Sequence, residues 1–288
     1  MKNTGFRRIL VATDGSEQAD AAGRVAISFA RASSAEIRVV HVWSLEPLIR
    51  NGMWDVETRR EAEALITRTV KWMRAYGVEA DGELIRADRK RVASAVAESA
   101  RSFGADLVVV GSRGLSDWQS LVKHSISHHL LTALDCPVLV VRDSGGVPRD
   151  AERVLLAVAG GDDVVPGVRA AIAAASGRGS KVLILHVPQA IFGAQGFAYI
   201  ESDDEVQATL SKATALLREA GIPTEALATG SGHVADVVAA AAARWKADVI
   251  VIGSARMGDV ASILLGSVTH SLLRATETPV LVAERIAQ

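Results

Sequence analysis

The chain has 288 residues, 49% of them hydrophobic, with 32 Lys and Arg against 33 Asp and Glu. A net charge of −1 leaves no field to hold nucleic acid or an anionic membrane, so a small-molecule or protein-facing role is expected. The single cysteine, Cys136, excludes an internal disulfide framework and suits a reducing cytoplasm.

The start, Met1 to Arg8, is basic, but the apolar run behind it stops at Asp14, too soon for a signal-peptide core or a membrane span. That run is the first predicted strand, Ile9 to Thr13. It ends in Asp14-Gly15-Ser16, a loop that offers capping side chains to a helix from about Glu17 to Arg31. Strand two, Ile37 to Val42, passes His41 and opens into a connection from Trp43 to Asp55 that contains Pro47 and Gly52. Such length marks a candidate lid or binding loop. A helix from about Val56 to Tyr76 carries Ala64, Leu65, Val70 and Met73 and stops at Gly77, where a left-handed cap is wanted. Strand three, Val78 to Ile85, leads through Arg86, Arg89, Lys90 and Arg91, a basic cluster read as a solvated turn, into a helix ending at Phe103. Strand four, Leu107 to Val110, breaks at Gly111-Ser112-Arg113-Gly114, and strand five, Val138 to Val141, follows Cys136-Pro137. Continuous apolar strands alternating with helices predict a doubly wound α/β domain with a parallel sheet, whose carboxyl edge is where such sheets bind ligands.

The same order then repeats. Gly111 recurs as Gly253 and Pro137 as Pro279, both at a spacing of 142, while Arg8 recurs as Arg153 and His41 as His186 at a spacing of 145. The second copy restarts at Arg153 to Gly160. It has a long connection from Pro188 to about Asp203 with Phe197 and Tyr199, helices near Glu205–Ala220 and His233–Trp245, and a third strand at Pro223–Ala228. Its fourth strand, Val249 to Ile252, ends in Gly253-Ser254-Ala255-Arg256. The polar segment around Gly145, Gly146 and Pro148 predicts a first domain over 1–143, a linker over 144–151 and a second domain over 152–288.

Glycine at 111 and 253 allows close backbone approach, and the next helix begins at His124-Ser125 in the first copy and Gly266-Ser267 in the second. Amides there, with the helix dipole, favour phosphate oxygens. The Asp-Gly-Ser loop, the His-Val end of strand two, the Gly-Ser-Arg-Gly turn and the Cys-Pro-Val-Leu-Val-Val ending together resemble the universal stress protein domain. Nucleotide-binding members of that family carry G-x2-G-x9-G-[ST] after strand four and an Asp after strand one. The resemblance covers nearly the whole chain and implies two tandem Rossmann-like domains of strand order 3-2-1-4-5. It also implies ATP or AMP at the carboxyl edge, adenine against the backbone of Val42 or Val187, and no catalysis. Domains of this family pair through strand five, which implies a homodimer or pairing of the two halves within one chain, alongside an unspecified protein partner.

The nucleotide residues carried over are Asp14, Val42, Gly111, Arg113, Gly114, His124 and Ser125 in the first half and Val187, Gly253, Arg256, Gly266 and Ser267 in the second. Departures from the family pattern are His124 at a glycine position, Ala159 at the Asp position and Arg256 at the second turn glycine. Both His124 and Arg256 are capable of donating to a phosphate or of filling the pocket. The first half keeps four of five motif positions and the second three of five, which favours the first as the nucleotide site. His124 and His128 stand four apart, a metal-pair spacing, but without a third ligand nearby no metal is expected. His41 and His186 are expected to pack rather than catalyse. The reading is therefore a cytoplasmic, adenine-nucleotide-binding stress regulator. The alternatives are a scaffold that has lost nucleotide binding and, behind it, a slow ATPase.

Overall fold

Val, Leu and Ile occupy every interior position of Arg8–Ala12 (β1), and Ile9, Leu10 and Val11 are fully buried, as a strand covered on both faces requires. The computed structural model describes residues 5–48, 52–55, 57–88, 91–112, 133, 134, 136–142, 151–159, 164–177, 179–188, 190–193, 196–199, 201–228, 232–253 and 267–283. They belong to two compact units, 6–149 and 150–288.

In the first unit β1 is followed by α1 (Glu17–Ser33), β2 (Glu36–Leu48), β3 (Gly52–Asp55), α2 (Arg59–Ala75) and β4 (Glu79–Asp88). Then come α3 (Val92–Phe103), β5 (Leu107–Gly111) and β6 (Val138–Val141). The parallel sheet runs β4-β2-β1-β5-β6, which is the order 3-2-1-4-5 of the five main strands. Right-handed crossovers in this order put α1 and α2 on one face and α3 on the other. Gly23 makes the α1–α2 contact close: a Cβ there would lie 2.7 Å from Trp72 of α2.

The second unit repeats the plan. It contains β7 (Arg153–Val158), α4 (Val165–Ala174), β8 (Lys181–His186), β9 (Ala190–Gly193), β10 (Gly196–Tyr199) and α5 (Asp203–Glu219). These are followed by β11 (Thr224–Ala228), α6 (Val234–Trp245), β12 (Val249–Ile252), α7 (Ser267–Ala275) and β13 (Val280–Val282). Its sheet order, β11-β8-β7-β12-β13, is the same.

Each unit closes its lower edge with one carboxylate and one guanidinium. Asp106, just before β5, accepts from the amides of Arg7 (2.8 Å) and Arg8 (3.0 Å), and the Arg8 guanidinium donates to the carbonyl of Phe103 at 3.3 Å. Asp248 does the same for Glu152 (3.0 Å) and Arg153 (2.8 Å), whose guanidinium reaches the Trp245 carbonyl at 3.1 Å. These bonds satisfy amides at the open start of strand one and fix its register against strand four.

The structure corrects the two long connections. Trp43–Asp55 is a hairpin arm: β2 continues to Leu48 and pairs antiparallel with β3, with Leu45 opposite Asp55 and Leu48 opposite Gly52. Pro47 is tolerated because β2 beyond Leu45 has only β3 as a neighbour among the described residues, so its missing N–H falls on an edge. The segment from Pro188 likewise contains the β9–β10 hairpin, with Phe197 opposite Phe192. Helix α2 begins at Arg59 rather than Val56, because Thr58 and Glu61 form a reciprocal capping box; Ser202 and Glu205 do so for α5. Helix α3 begins at Val92, since β4 runs on to Asp88. Of the predicted linker, 144–151, residues 144–150 lie outside the described residues, and Ala151 is buried.

Candidate functional site

Strand order reverses between β1 and β5, and between β7 and β12, so the crevice at the carboxyl ends of these strands is the natural ligand position. In the first unit that crevice is walled by a tightly built loop. Gly15 has φ +76°, a conformation that favours glycine, and a Cβ there would come within 3.3 Å of Leu65 on α2. The Gly15 amide donates to Thr13 Oγ1 at 3.2 Å. Asp14 Oδ1 accepts from the Ser16 amide at 3.0 Å and from Ser16 Oγ at 2.5 Å, and Ser16 Oγ in turn accepts from the Ala19 amide. Ser16 is thus the N-cap of α1, and Asp14, itself exposed, aims that cap rather than being it.

Gly111 is half-buried at the end of β5. A Cβ on it would meet the backbone of Gln18 at 2.5 Å and the Ala19 nitrogen at 2.8 Å, so the first turn of α1 occupies the space a side chain would need. In the second unit Gly253 is exposed, with no described atom within 4 Å of a Cβ built on it, and a Cβ on Gly167 of α4 would come within 3.3 Å of Leu156 Cδ1. Val42 is half-buried and Val187 buried, each beside the first strand of its unit. Ala159, exposed after β7, stands where the first unit has Asp14, and α7 begins at Ser267. Arg113, Gly114, His124, Ser125, Arg256 and Gly266 lie outside the described residues, as does His128.

Residue types alone did not reveal the most ordered polar feature of this edge. The buried ring of His41 places Nδ1 2.8 Å from the Thr13 carbonyl and Nε2 against Glu57 Oε1. The buried ring of His186 places Nδ1 2.9 Å from the Val158 carbonyl and Nε2 2.7 Å from Glu201 Oε2. A carbonyl only accepts, so Nδ1 carries hydrogen in both rings, and Nε2 faces the carboxylate. With both nitrogens engaged, neither ring is placed to abstract a proton from a ligand. The sequence signal was there: Glu-Thr-Arg-Arg-Glu at 57–61 and Glu-Ser-Asp-Asp-Glu at 201–205 put a glutamate just ahead of each capping box. In the first unit the Trp43 indole also donates to the Glu57 carbonyl at 2.8 Å, and the Arg86 guanidinium lies 4.8 Å from that ring.

Among the described residues no group of three His, Cys, Asp or Glu side chains is arranged to hold a metal ion, and no helix is long and apolar enough to cross a membrane.

Comparison with known proteins matches this architecture. The family model described as the universal stress protein family matches residues 5–142 and again 151–284. A universal stress protein of Mycobacterium tuberculosis is 25% identical over 296 residues, covering 96% of this chain and 97% of the relative. One from Thermus aquaticus is 33% identical over 138 residues, covering 48% of this chain and 99% of its own. The crystal structure of a universal stress protein from Archaeoglobus fulgidus superposes with a TM-score of 0.75 at 21% identity, covering 99% of this chain and all of that one, and so shares the fold. The two matched segments, each carrying the sheet order and the carboxyl-edge loops described above, establish that the chain belongs to the universal stress protein family, with its domain present twice.

Proposed function

We propose that the protein binds an adenine nucleotide, ATP or AMP, at the carboxyl edge of its sheets and acts in the cytoplasm as a stress-response regulator without turnover. The observation that carries this reading is the construction of the crevice at the point of strand reversal. In the first unit Asp14 is held by Ser16 at its mouth, and in the second Gly253 stands exposed at the end of β12. An acidic side chain beside strand one suits ribose hydroxyls, which donate to a carboxylate; a turn of small residues suits phosphates, which accept from amides.

Adenine lies in this reading against the backbone of Val42 or Val187, and phosphate against the turns after β5 and β12. Arg113, Gly114, His124 and Ser125 complete the first pocket, and Arg256, Gly266 and Ser267 the second. The motif count favours the first half. Both pockets are proposed, with the guanidinium of Arg256 as the second pocket's phosphate partner.

The test is to denature the purified full-length protein, separate the released small molecules by chromatography with absorbance detection, and titrate the emptied protein with ATP and AMP. Nucleotide near one or two equivalents per chain, unchanged on prolonged incubation, is the expected result. No release and no binding would move the reading to a scaffold that has lost its ligand, and conversion of ATP to ADP would move it to a slow ATPase.

A further inference from the structure

The repeated His–Glu pairs are not explained by stability alone. A polar pair with a buried imidazole loses hydration that its hydrogen bonds only partly return, and apolar residues of similar volume often fill such a space as well. Yet both halves carry the arrangement, although they differ at the strand-one loop (Asp14 against Ala159) and at the turn (Gly114 against Arg256). The arms differ too: Glu57 follows His41 by 16 residues and Glu201 follows His186 by 15, and the carboxylate still returns to the same ring nitrogen.

What each pair connects is specific. The carbonyl held by Nδ1 belongs to the residue immediately before Asp14 or Ala159, and the histidine immediately precedes Val42 or Val187. The glutamate immediately precedes the N-cap of the helix that follows the arm. Three chain segments therefore meet at one imidazole: the end of strand one, the end of strand two and the start of the second helix. Resting on the nucleotide reading above, we propose that the His41–Glu57 and His186–Glu201 pairs are positioning residues, latches that tie the closing end of the hairpin arm to the strand-one carbonyl and so fix the backbone against which adenine is read. Protein groups fixed before the ligand arrives need no ordering on binding, and this is how such a latch raises affinity without touching the nucleotide.

The halves differ in one respect that sharpens the proposal. Trp43 holds the Glu57 carbonyl, whereas Pro188 stands at its equivalent position in the second half and has no N–H to donate. Loss of the carboxylate alone therefore loosens the second latch more than the first.

The experiment uses full-length Glu57→Ala, Glu57→Gln, Glu201→Ala and Glu201→Gln proteins. Three quantities are measured: ATP and AMP affinity by calorimetry, imidazole nitrogen shifts by long-range proton–nitrogen spectroscopy, and amide exchange. A glutamine amide can donate to Nε2 of a neutral ring and keep the geometry, whereas alanine cannot. Alanine is expected to weaken binding in its own half by about tenfold, and more at Glu201 than at Glu57. Glutamine is expected to hold affinity within about threefold of the parent while moving the Nε2 resonance, because an amide N–H takes the place of the carboxylate there.

Parent-like affinity in both alanine variants overturns the latch while leaving the pocket standing. If the parent itself binds no nucleotide, the nucleotide reading fails on its own. The tie is then judged by exchange at the amides of Thr13 and Ala62, or Val206 in the second half: faster exchange in the alanine variants supports it, and unchanged exchange overturns it. Should an alanine variant not fold, its glutamine counterpart decides through the ring spectrum, where shifts identical to the parent's would show that the carboxylate is not the partner of Nε2.

Discussion

Alanine at the two equivalent strand-four glycines should act in opposite directions. At Gly111 the added carbon would lie 2.5 Å from backbone atoms of Gln18 and 2.8 Å from the Ala19 nitrogen, where ordinary contact begins near 3.4 Å. Relief requires a displacement of ~0.9 Å between the end of β5 and the first turn of α1. Neither partner yields easily, because α1 is capped by Ser16 and its loop is held by Asp14, while β5 lies between β1 and β6. Overpacking of this kind costs about 1–3 kcal/mol, and the involvement of backbone on both sides places Gly111→Ala near the upper end. At a urea dependence of ~2 kcal/mol per molar, the first unit should unfold ~1.5 M earlier. Gly253→Ala meets no described atom within 4 Å, and Gly253 has no positive φ, so the reduced freedom of the unfolded chain makes it neutral to ~1 kcal/mol stabilising. On the proposed reading that same methyl stands at the phosphate turn and should weaken nucleotide binding in the second half. Urea unfolding followed by circular dichroism, with calorimetric ATP titration of both variants, measures both effects. A parent-like midpoint for Gly111→Ala, or an equal loss in Gly253→Ala, would refute the close-packing argument. For the same reason Gly111→Arg is a poor probe of nucleotide binding, since it displaces α1 before it meets any ligand.

Other outcomes follow from single contacts. Ser16→Ala removes the N-cap of α1 and should lower stability by about 1 kcal/mol in the same urea assay, while Asp14→Ala should cost affinity beyond the loss of that cap. In each capping box the carboxyl of Glu61 or Glu205 is held below the ordinary glutamate range, chiefly by the backbone N–H of Thr58 or Ser202 and then by its hydroxyl. A depressed carboxyl contributes stability that is full above its unfolded value and lost as pH falls through the folded value. Glu61→Gln and Glu205→Gln should therefore lower the thermal midpoint slightly near neutrality, flatten its acid limb, and converge with the parent at low pH. Phe29→Ala empties a fully buried site that packs edge-on to Phe6 and should cost ~3–5 kcal/mol, read as a large drop in urea midpoint.

The architecture was legible because its determinants are local and repeated. Runs such as Leu107–Val110 and Val249–Ile252 are apolar at every position, which only a strand covered on both faces needs, and glycines at 77 and 104 close helices in left-handed geometry as expected. What escaped were features decided by pairing partners far along the chain. Pro47 and Gly52 spell an irregular connection until β3 is seen to fold back on β2. The apolar pattern starts α2 at Val56, whereas the capping box of Thr58 and Glu61 starts it at Arg59, and Glu57 and Glu201 look like ordinary solvated charges until the arm brings them onto a buried ring. Gly111 shows the opposite difficulty. A glycine after a buried strand reads as room for a ligand, but only the structure shows that helix backbone fills that room in one half and that no described atom fills it in the other.

The two halves also divide into parts that repeat and parts that do not, and the division follows function. The Asp–Arg clamp at the strand-one entry, the capping box and the His–Glu latch recur with the same partners in both units. All of these fix the frame: register at one edge, helix entry and backbone position at the other. The residues that differ are ones the proposed reading places at the ligand, Asp14 against Ala159 and Gly114 against Arg256. On that reading, two retained frames with divergent motif residues suit two pockets that hold the same class of ligand by different contacts, the first through Asp14 at the ribose side and the second through Arg256 at the phosphate side. Asp14→Ala and Arg256→Ala should then each lower the occupancy of one pocket and spare the other.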